Sequence, residues 1–102
     1  MVCYHLITIK KSDKAGKKMM AVFENCQTDR RKTVYFGAEN MSDYTKHKDP
    51  ERKKRYIQRH KKNENWNNYW TAGALSRWIL WNKPSLRESI ASYKRKFHLG
   101  KK

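Results

Sequence analysis

The sequence predicts an α+β fold, in which a small antiparallel β-sheet, built from a hairpin and a third strand, packs against two or three short helices. Three short runs rich in β-branched and aromatic residues precede position 38, and helix signals begin at Asp49-Pro50-Glu51. Hydrophobic residues make up only 37% of the 102 residues, but four Trp and six Tyr enlarge the core. We predict a single domain over residues 1–98 and a frayed basic C-terminus over residues 99–102.

The first two runs, CYHLITIKK and KKMMAVFEN, predict a β-hairpin. The segment SDKAG between them contains turn residues, and Gly16 can adopt a positive φ angle. A turn centred near residues 14 and 15 gives, to within a residue or two, these opposed pairs: Ile7 with Val22, Ile9 with Met20, and Cys3 with Cys26 at the open end. The run TVYFG predicts a third strand that ends at Gly37.

The first predicted helix runs from Pro50 to about Lys62. Asp49 is a preferred N-cap residue, proline suits the first helical position, and Glu51 suits the positive end of the helix dipole. Helical periodicity predicts an inner stripe of Tyr56, Ile57 and His60, with the stem of Lys53 beside it.

Two further helices are predicted nearer the C-terminus. Thr71 can cap the segment AGALSRWILWN, which Pro84 terminates, and the S-x-x-E pattern from Ser85 to Glu88 is a capping box. Helical spacing predicts that the following residues face the core: Leu75, Trp78 and Ile79 in the second helix, and Leu86, Ile90, Tyr93 and Phe97 in the third.

The cysteines and the apolar segments exclude several protein classes. Two cysteines without a C-x₂-C pair exclude a disulfide-rich scaffold and a zinc finger, so we interpret both as structural residues and expect no metal or cofactor. The apolar start meets Lys10 and Lys11 too early for a signal peptide, and no run approaches the ~18 apolar residues of a membrane span. We expect a soluble protein, inside a cell or a particle, without membrane contact.

The formal net charge of +16 predicts a polyanionic partner, because such charge repels itself in a compact state. Residues 47–62, HKDPERKKRYIQRHKK, hold eight Lys or Arg and two acidic residues. Arg55 and Arg59 are like charges at a spacing that destabilises an isolated helix. A helix selected only for stability would interleave glutamates. We therefore favour a phosphate-contacting helix, and a solvated charged face is the alternative.

The residue types in this helix indicate binding without sequence specificity. Gln58 is its only amide, whereas lysines and arginines on several sides suit contact with the phosphate backbone of duplex DNA, which we favour over RNA. Trp66 can stack on a base or wedge between base steps, or it can fasten a loop to the core. The predicted phosphate contacts are Lys46, Lys48, Arg52, Lys54, Arg55, Arg59, Lys61, Lys62 and Arg77.

Catalysis is not expected. His47, Asp49 and His60 are close in sequence, but the chain has no carboxylate cluster for Mg²⁺ and no Gly-rich phosphate loop. His60 falls on the inner stripe of the predicted helix, and we interpret it as a packed histidine.

Residues 33–90 carry a resemblance to a known family. The matching segments are Phe36-Gly37, Ser42-Asp43-Tyr44-Thr45, His47-Lys48-Asp49-Pro50-Glu51-Arg52, Arg59-His60, Ser76-Arg77-Trp78 and Trp81-Asn82-Lys83-Pro84-Ser85. They resemble a family of small basic proteins of nucleocytoplasmic large DNA viruses. The resemblance implies a viral origin but no mechanism. Closely spaced polar residues in these segments predict a capped loop that fixes the entry of the helix: Ser42, Asp43, His47 and Asp49.

Together these observations predict a genome-compacting DNA-binding protein of a large DNA virus. We expect it in the virion and, in infected cells, in the host cytoplasm or nucleus. The alternative is a structural protein of the virion, in the capsid or core, whose basic surface binds an acidic protein partner.

Overall fold

The three strands form one antiparallel sheet in the order β1-β2-β3, with β1 at Tyr4–Lys11, β2 at Lys17–Asn25 and β3 at Arg31–Ala38. This computed structural model describes residues 3–99. The helices follow the sheet in sequence: α1 at Tyr44–His47, α2 at Pro50–His60, α3 at Ala72–Leu75, which continues into a π-helix at Ser76–Leu80, and α4 at Leu86–Lys96. The predicted α+β class is therefore confirmed.

A β-bulge at Ile7 changes the predicted register of the hairpin. Leu6 lies opposite Phe23, as the predicted register requires, but Thr8 lies opposite Val22, so the pairing beyond the bulge is shifted by one residue. The predicted pairs of Ile7 with Val22 and Ile9 with Met20 are wrong. The extra residue reverses the alternation of side chains, so that both Leu6 and Ile9 face the core while Ile7 is exposed.

The open end of the hairpin is closed by a disulfide bond between Cys3 and Cys26, whose Cα atoms are 5.5 Å apart. The backbone N–H of Cys26 also donates a hydrogen bond to the carbonyl of Cys3 at 3.1 Å. The predicted opposition of the two cysteines is thus confirmed. The interpretation of both as structural residues agrees with the bond, which the sequence did not reveal.

Gly37 does not end the third strand, which continues to Ala38. Its φ angle is +80°, and a Cβ atom at this position would lie 2.6 Å from Cδ1 of Leu80. Glycine is favoured here because the φ angle is positive, and the close approach of the strand to a buried leucine of the π-helix adds to this preference.

The core lies between one face of the sheet and the C-terminal helices. Its fully buried side chains come from both layers: Phe23 and Phe36 from the sheet, Leu75 from α3, Ile79 from the π-helix, and Tyr93 from α4. The hydroxyl of Tyr93 donates a hydrogen bond to the carbonyl of Tyr69 at 2.6 Å, which satisfies its polar atom inside the core. The predicted inward positions of Leu75, Ile79 and Tyr93 are confirmed.

The second predicted helix ends in a π-helix at Ser76–Leu80. The backbone N–H of Trp81 donates to the carbonyl of Ser76, five residues earlier, and the wider turn buries Leu75 and Leu80, which are also five residues apart. Trp78 is only half-buried. Trp78 nevertheless packs against the core, as its predicted place on the inner stripe requires.

In α4 the predicted N-cap is confirmed, since the Ser85 hydroxyl accepts a hydrogen bond from the backbone N–H of Glu88 at 3.3 Å. Leu86, which was predicted to face the core, is 36% exposed, whereas Ser89 is fully buried. The Ser89 hydroxyl bonds to both backbone groups of Lys83 and fixes the preceding loop.

The predicted frayed tail begins at Leu99. In the structure Leu99 packs against the core, and its N–H donates to the carbonyl of Lys94 at 2.8 Å. The rest of the predicted tail, residues 100–102, lies outside the described residues.

Candidate nucleic-acid interface

Two successive N-caps position α2, the helix with the densest positive charge. An Asp43 carboxylate oxygen accepts a hydrogen bond from the backbone N–H of Thr45 at 2.9 Å and starts α1. An Asp49 carboxylate oxygen accepts from the N–H of Glu51 at 3.0 Å and starts α2. The predicted capped loop at the entry of the helix is confirmed, with the addition of the one-turn helix α1.

Two lysines connect the segment that leads into α2 to the rest of the fold. Lys18 of β2 forms an ion pair with the buried carboxylate of Asp43, with 2.5 Å between Nζ and Oδ2. Lys48 adopts a left-handed backbone conformation between the two helices, and its ammonium group donates to the carbonyls of Thr45 and Pro84, each at 3.1 Å. Lys48 is exposed, but its charge also has this structural role.

An aromatic stack holds the inner side of α2. The buried ring of Tyr56 lies parallel to the ring of Trp81, with 4.4 Å between centroids and 3° between planes. The ring of Tyr56 also packs against the ring of His60, with 4.4 Å between centroids. Burial raises the pKa of the Tyr56 hydroxyl well above its usual value. Lys53 also donates to the carbonyl of Asn82 at 2.7 Å, which adds a second attachment on the inner side of the helix.

Both histidines near α2 make contacts with neighbouring residues. Nδ1 of His60 lies 2.7 Å from a carboxylate oxygen of Glu64, and its ring packs on Tyr56 as predicted. His47 accepts a hydrogen bond at Nδ1 from the N–H of Asp49 at 3.0 Å, and its Nε2 is buried. Burial, followed by the nearby charge of Arg52, lowers the pKa of His47.

The outer side of α2 and the turn after it are covered by cations that project into solvent. Within residues 3–99 the structure contains two ion pairs, Lys18 with Asp43 and His60 with Glu64, and neither involves this side of the helix. We call the exposed set the α2 cationic face: Arg52, Lys54, Arg55, Arg59, Lys61 and Lys62.

The spacing within this face suits a run of phosphates. At about 1.5 Å rise per residue, Arg52 and Arg59 are separated by about 10 Å along the helix, with Arg55 between them on the same side. A duplex carries one negative charge per ~1.7 Å of its axis, so several phosphates fall within reach of these flexible side chains. The like-charge pair Arg55–Arg59 remains without a neutralising partner among the described residues.

The remaining predicted contact residues lie apart from this face or are already occupied. Lys46 is exposed on α1. Arg77 is half-buried, donates from Nη1 to the carbonyl of Trp81 at 2.8 Å, and lies over the rings of Trp66 and Trp78 at 5.4 and 4.4 Å. Trp66 is therefore part of an internal cation–π cluster, and its carbonyl accepts from Nε1 of Trp78 at 2.9 Å. This arrangement corresponds to the loop-fastening alternative for Trp66.

Sequence reasoning missed one of the two residues that orient the cationic face, and of the other it predicted the position but not the hydrogen bond. Trp81 supports Tyr56, and Lys53 turns inward to Asn82 although it lies in a run of lysines and arginines. The helical position of Lys53 beside Tyr56 was the available signal for its orientation. Nothing local in the sequence distinguishes Trp81 as the partner of Tyr56, since the two are 25 positions apart.

A comparison with protein-family models matches residues 7–60 to a family of unknown function (DUF5754). The match spans more than half of the 102 residues. The chain belongs to this family. The DUF5754 segment begins at the bulge residue of β1 and ends with the last residue of α2, so it contains most of the sheet, both N-caps and four residues of the cationic face.

The DUF5754 description assigns no activity. No curated protein and no solved structure matches this chain. Among residues 3–99, no helix has the length and apolar character to cross a bilayer. The same part of the chain contains no group of three or more His, Cys, Asp or Glu side chains arranged to hold a metal ion.

Proposed function

We propose that this protein binds nucleic acid without sequence specificity, through the α2 cationic face. The observation that supports the proposal is the combination of six exposed cations without ion pairs on the outer side and a fixed aromatic stack on the inner side. A solvated face built only for stability would gain from intrahelical glutamate partners, but no acidic residue lies between Arg52 and Lys62.

The ligand contacts are phosphates rather than base edges. Readout of bases by a helix uses arginines together with asparagine and glutamine at positions that enter a groove. Gln58 is the one amide on the exposed side of α2. The other side chains there are lysines and arginines, which neutralise backbone charge and release counterions whatever the sequence.

Duplex DNA is the ligand that fits the face best. Four of the cations lie on a helix of 11 residues and two on the turn that follows it, and a duplex presents phosphates at regular spacing along a stiff rod. Binding to single strands usually adds exposed aromatic rings for base stacking. The tryptophan that follows the face in sequence, Trp66, is engaged with Arg77 and Trp78.

The biological role that we propose is compaction of the genome of a large DNA virus. The net charge of +16 on a small domain supports it, together with the resemblance of residues 33–90 to small basic viral proteins. A protein with this role is located in the virion and, during infection, at the site where the genome is packaged, in the host cytoplasm or nucleus.

A salt titration tests the proposal. Fluorescence anisotropy would measure the affinity for two duplexes of unrelated sequence, and for an RNA duplex of equal length, over a range of salt concentrations. With about five to seven phosphate contacts, the slope of log K against log salt should be near −4.5 to −6 and equal for both DNA sequences. A slope near zero, or strong preference for one sequence, would contradict the proposal.

A further inference from the structure

A groove at the turn end of the hairpin has a composition unlike that of the α2 cationic face. Its cavity volume is about 760 Å³, within the range of pockets that hold ligands. Aliphatic side chains line its floor, namely Ile9, Met19, Leu80, Leu86 and Ile90. Five lysines surround this floor, namely Lys10, Lys11, Lys17, Lys18 and Lys46. We call the floor and these lysines together the turn groove.

The turn groove exists because the helical layer does not cover the whole core face of the sheet. Ile9 and Met19 lie on that face beyond the fully buried residues and remain half-buried. Leu86, at the start of α4, is 36% exposed although a helical stripe would place it inside. Aliphatic surface left in contact with water is unfavourable, so a partner that covers this floor gains hydrophobic free energy.

The charges around the groove are unbalanced. Five lysines face two carboxylates, Asp43 and Glu39. Asp43 is already paired with Lys18, and Glu39 accepts a hydrogen bond from the backbone N–H of Gly16 at 3.4 Å. The other four lysines have no ion pair among residues 3–99. The groove therefore presents free cations around an aliphatic floor.

We propose that the turn groove binds an acidic peptide segment of a partner protein, with aliphatic side chains on the floor and Asp or Glu side chains against the lysines. The lysines favour peptides with Asp or Glu through charge complementarity, and the aliphatic floor favours peptides with aliphatic side chains that can be buried on it. A nucleic acid has no aliphatic side chains, and the groove lining contains no aromatic ring on which a base could stack. A membrane surface is bound by a projecting apolar face, whereas this floor is concave.

This site is distinct from the proposed nucleic-acid interface. Lys46 is shared between the turn groove and the predicted phosphate contacts, but no residue of the α2 cationic face lines the groove. Variants can therefore remove one activity and leave the other. Lys11→Ala with Lys17→Ala reduces the charge of the groove, and Leu86→Asn makes its floor polar at an exposed position that the fold can accommodate.

Selection from a phage-displayed library of random peptides, with the immobilised full chain as bait, tests the proposal. Selected peptides should be enriched in Asp or Glu together with Leu, Ile or Val. Synthetic copies should bind the parent, and the Lys11→Ala, Lys17→Ala variant should bind about tenfold more weakly. Leu86→Asn should weaken binding independently. Arg55→Ala with Arg59→Ala should retain peptide binding, so that failure of the groove proposal and failure of the nucleic-acid proposal are distinguishable.

Isoleucine methyl NMR locates the binding. A selected peptide should shift the signals of Ile9 and Ile90 and leave Ile57, on α2, unchanged. Selection without acidic and aliphatic enrichment, or shifts at Ile57 instead, would overturn the proposal. So would shifts of Ile9 and Ile90 caused by a single-stranded oligonucleotide or by anionic phospholipid vesicles, each of which would assign the groove to that ligand.

Discussion

Replacement of Gly37 by alanine should destabilise the fold through two separable effects. The φ angle of Gly37 is +80°, which costs a residue with a Cβ atom about 1–2 kcal/mol. The new Cβ atom would also lie 2.6 Å from Cδ1 of Leu80, which is 4% exposed and has little room to move. Overpacking of this kind adds about 1–3 kcal/mol. After the gain from a less flexible unfolded chain, we expect a total loss of about 2–4 kcal/mol.

Gly16 provides the matched control for this prediction. Its φ angle is +87°, but no atom lies within 4 Å of the position that a Cβ atom would take. Gly16→Ala should therefore lose only the backbone contribution, about 1 kcal/mol after the gain from a less flexible unfolded chain. Urea unfolding followed by tryptophan fluorescence measures both variants. Equal losses at the two positions would refute the close approach of β3 to the π-helix.

A double-mutant cycle with Leu80→Ala identifies the overlapping atom. If Leu80 is the obstacle, its truncation opens the space, and the cost of Gly37→Ala should fall to that of Gly16→Ala. An unchanged cost in the Leu80→Ala background would mean that the overlap is elsewhere.

Three further predictions concern the ends of the sheet and the aromatic clusters. Reduction of the Cys3–Cys26 bond, which closes a loop with a sequence separation of 23, should lower the free energy of unfolding by about 3 kcal/mol; identical urea midpoints with and without reductant would contradict a folded-state bond. His47 has a folded-state pKa below its ordinary 6.5, so the unfolded chain binds the proton more readily and stability should fall as pH drops below 6.5. A His47→Asn variant should show a smaller loss over that window, and an identical pH profile would exclude His47 as its source. Trp78→Ala should cost about 2–3 kcal/mol, less than the ~3–5 of a fully buried tryptophan, and calorimetry that finds less than ~1 would place the side chain on the surface.

Features governed by neighbours in sequence were predictable. The N-caps Asp49, Thr71 and Ser85 were all identified, because capping depends on a side chain and the backbone two or three residues later. The position of α2 and its inner Tyr56 followed from the same local signals and from helical periodicity.

Features that depend on distant contacts were not predictable. The bulge at Ile7 is fixed by the need to place both Leu6 and Ile9 on the core, which no local pattern in β1 shows. The π-helix, which contributes the buried Ile79 and Leu80 to the core, is also not visible in the local sequence. Register and helical phase are both settled by tertiary packing, which outweighs local propensity.

Some features of the candidate site were also predictable from the sequence, and others were not. The exposed cations of α2 could be predicted, because charge density and helical spacing are visible in the sequence. The inward position of Lys53 was predicted as well, but its hydrogen bond to Asn82 and the engagement of Arg77 with Trp66 were not, because each depends on a contact with a separate segment. The turn groove was missed because its lining comes from the hairpin, α1, the π-helix and α4.

The central claim is tested most directly by the salt dependence of DNA binding in two variants of equal charge. Arg55→Ala with Arg59→Ala removes two cations from the α2 cationic face. Arg87→Ala with Arg95→Ala removes two exposed cations from α4, and both variants carry two charges fewer than +16. The first should flatten the slope of log K against log salt by about two and weaken binding about 60-fold near 0.1 M salt, while its helix content is retained in circular dichroism. The second should bind nearly as the parent does. Equal effects of the two variants, or no effect of the first, would contradict the account and make α2 a solvated face.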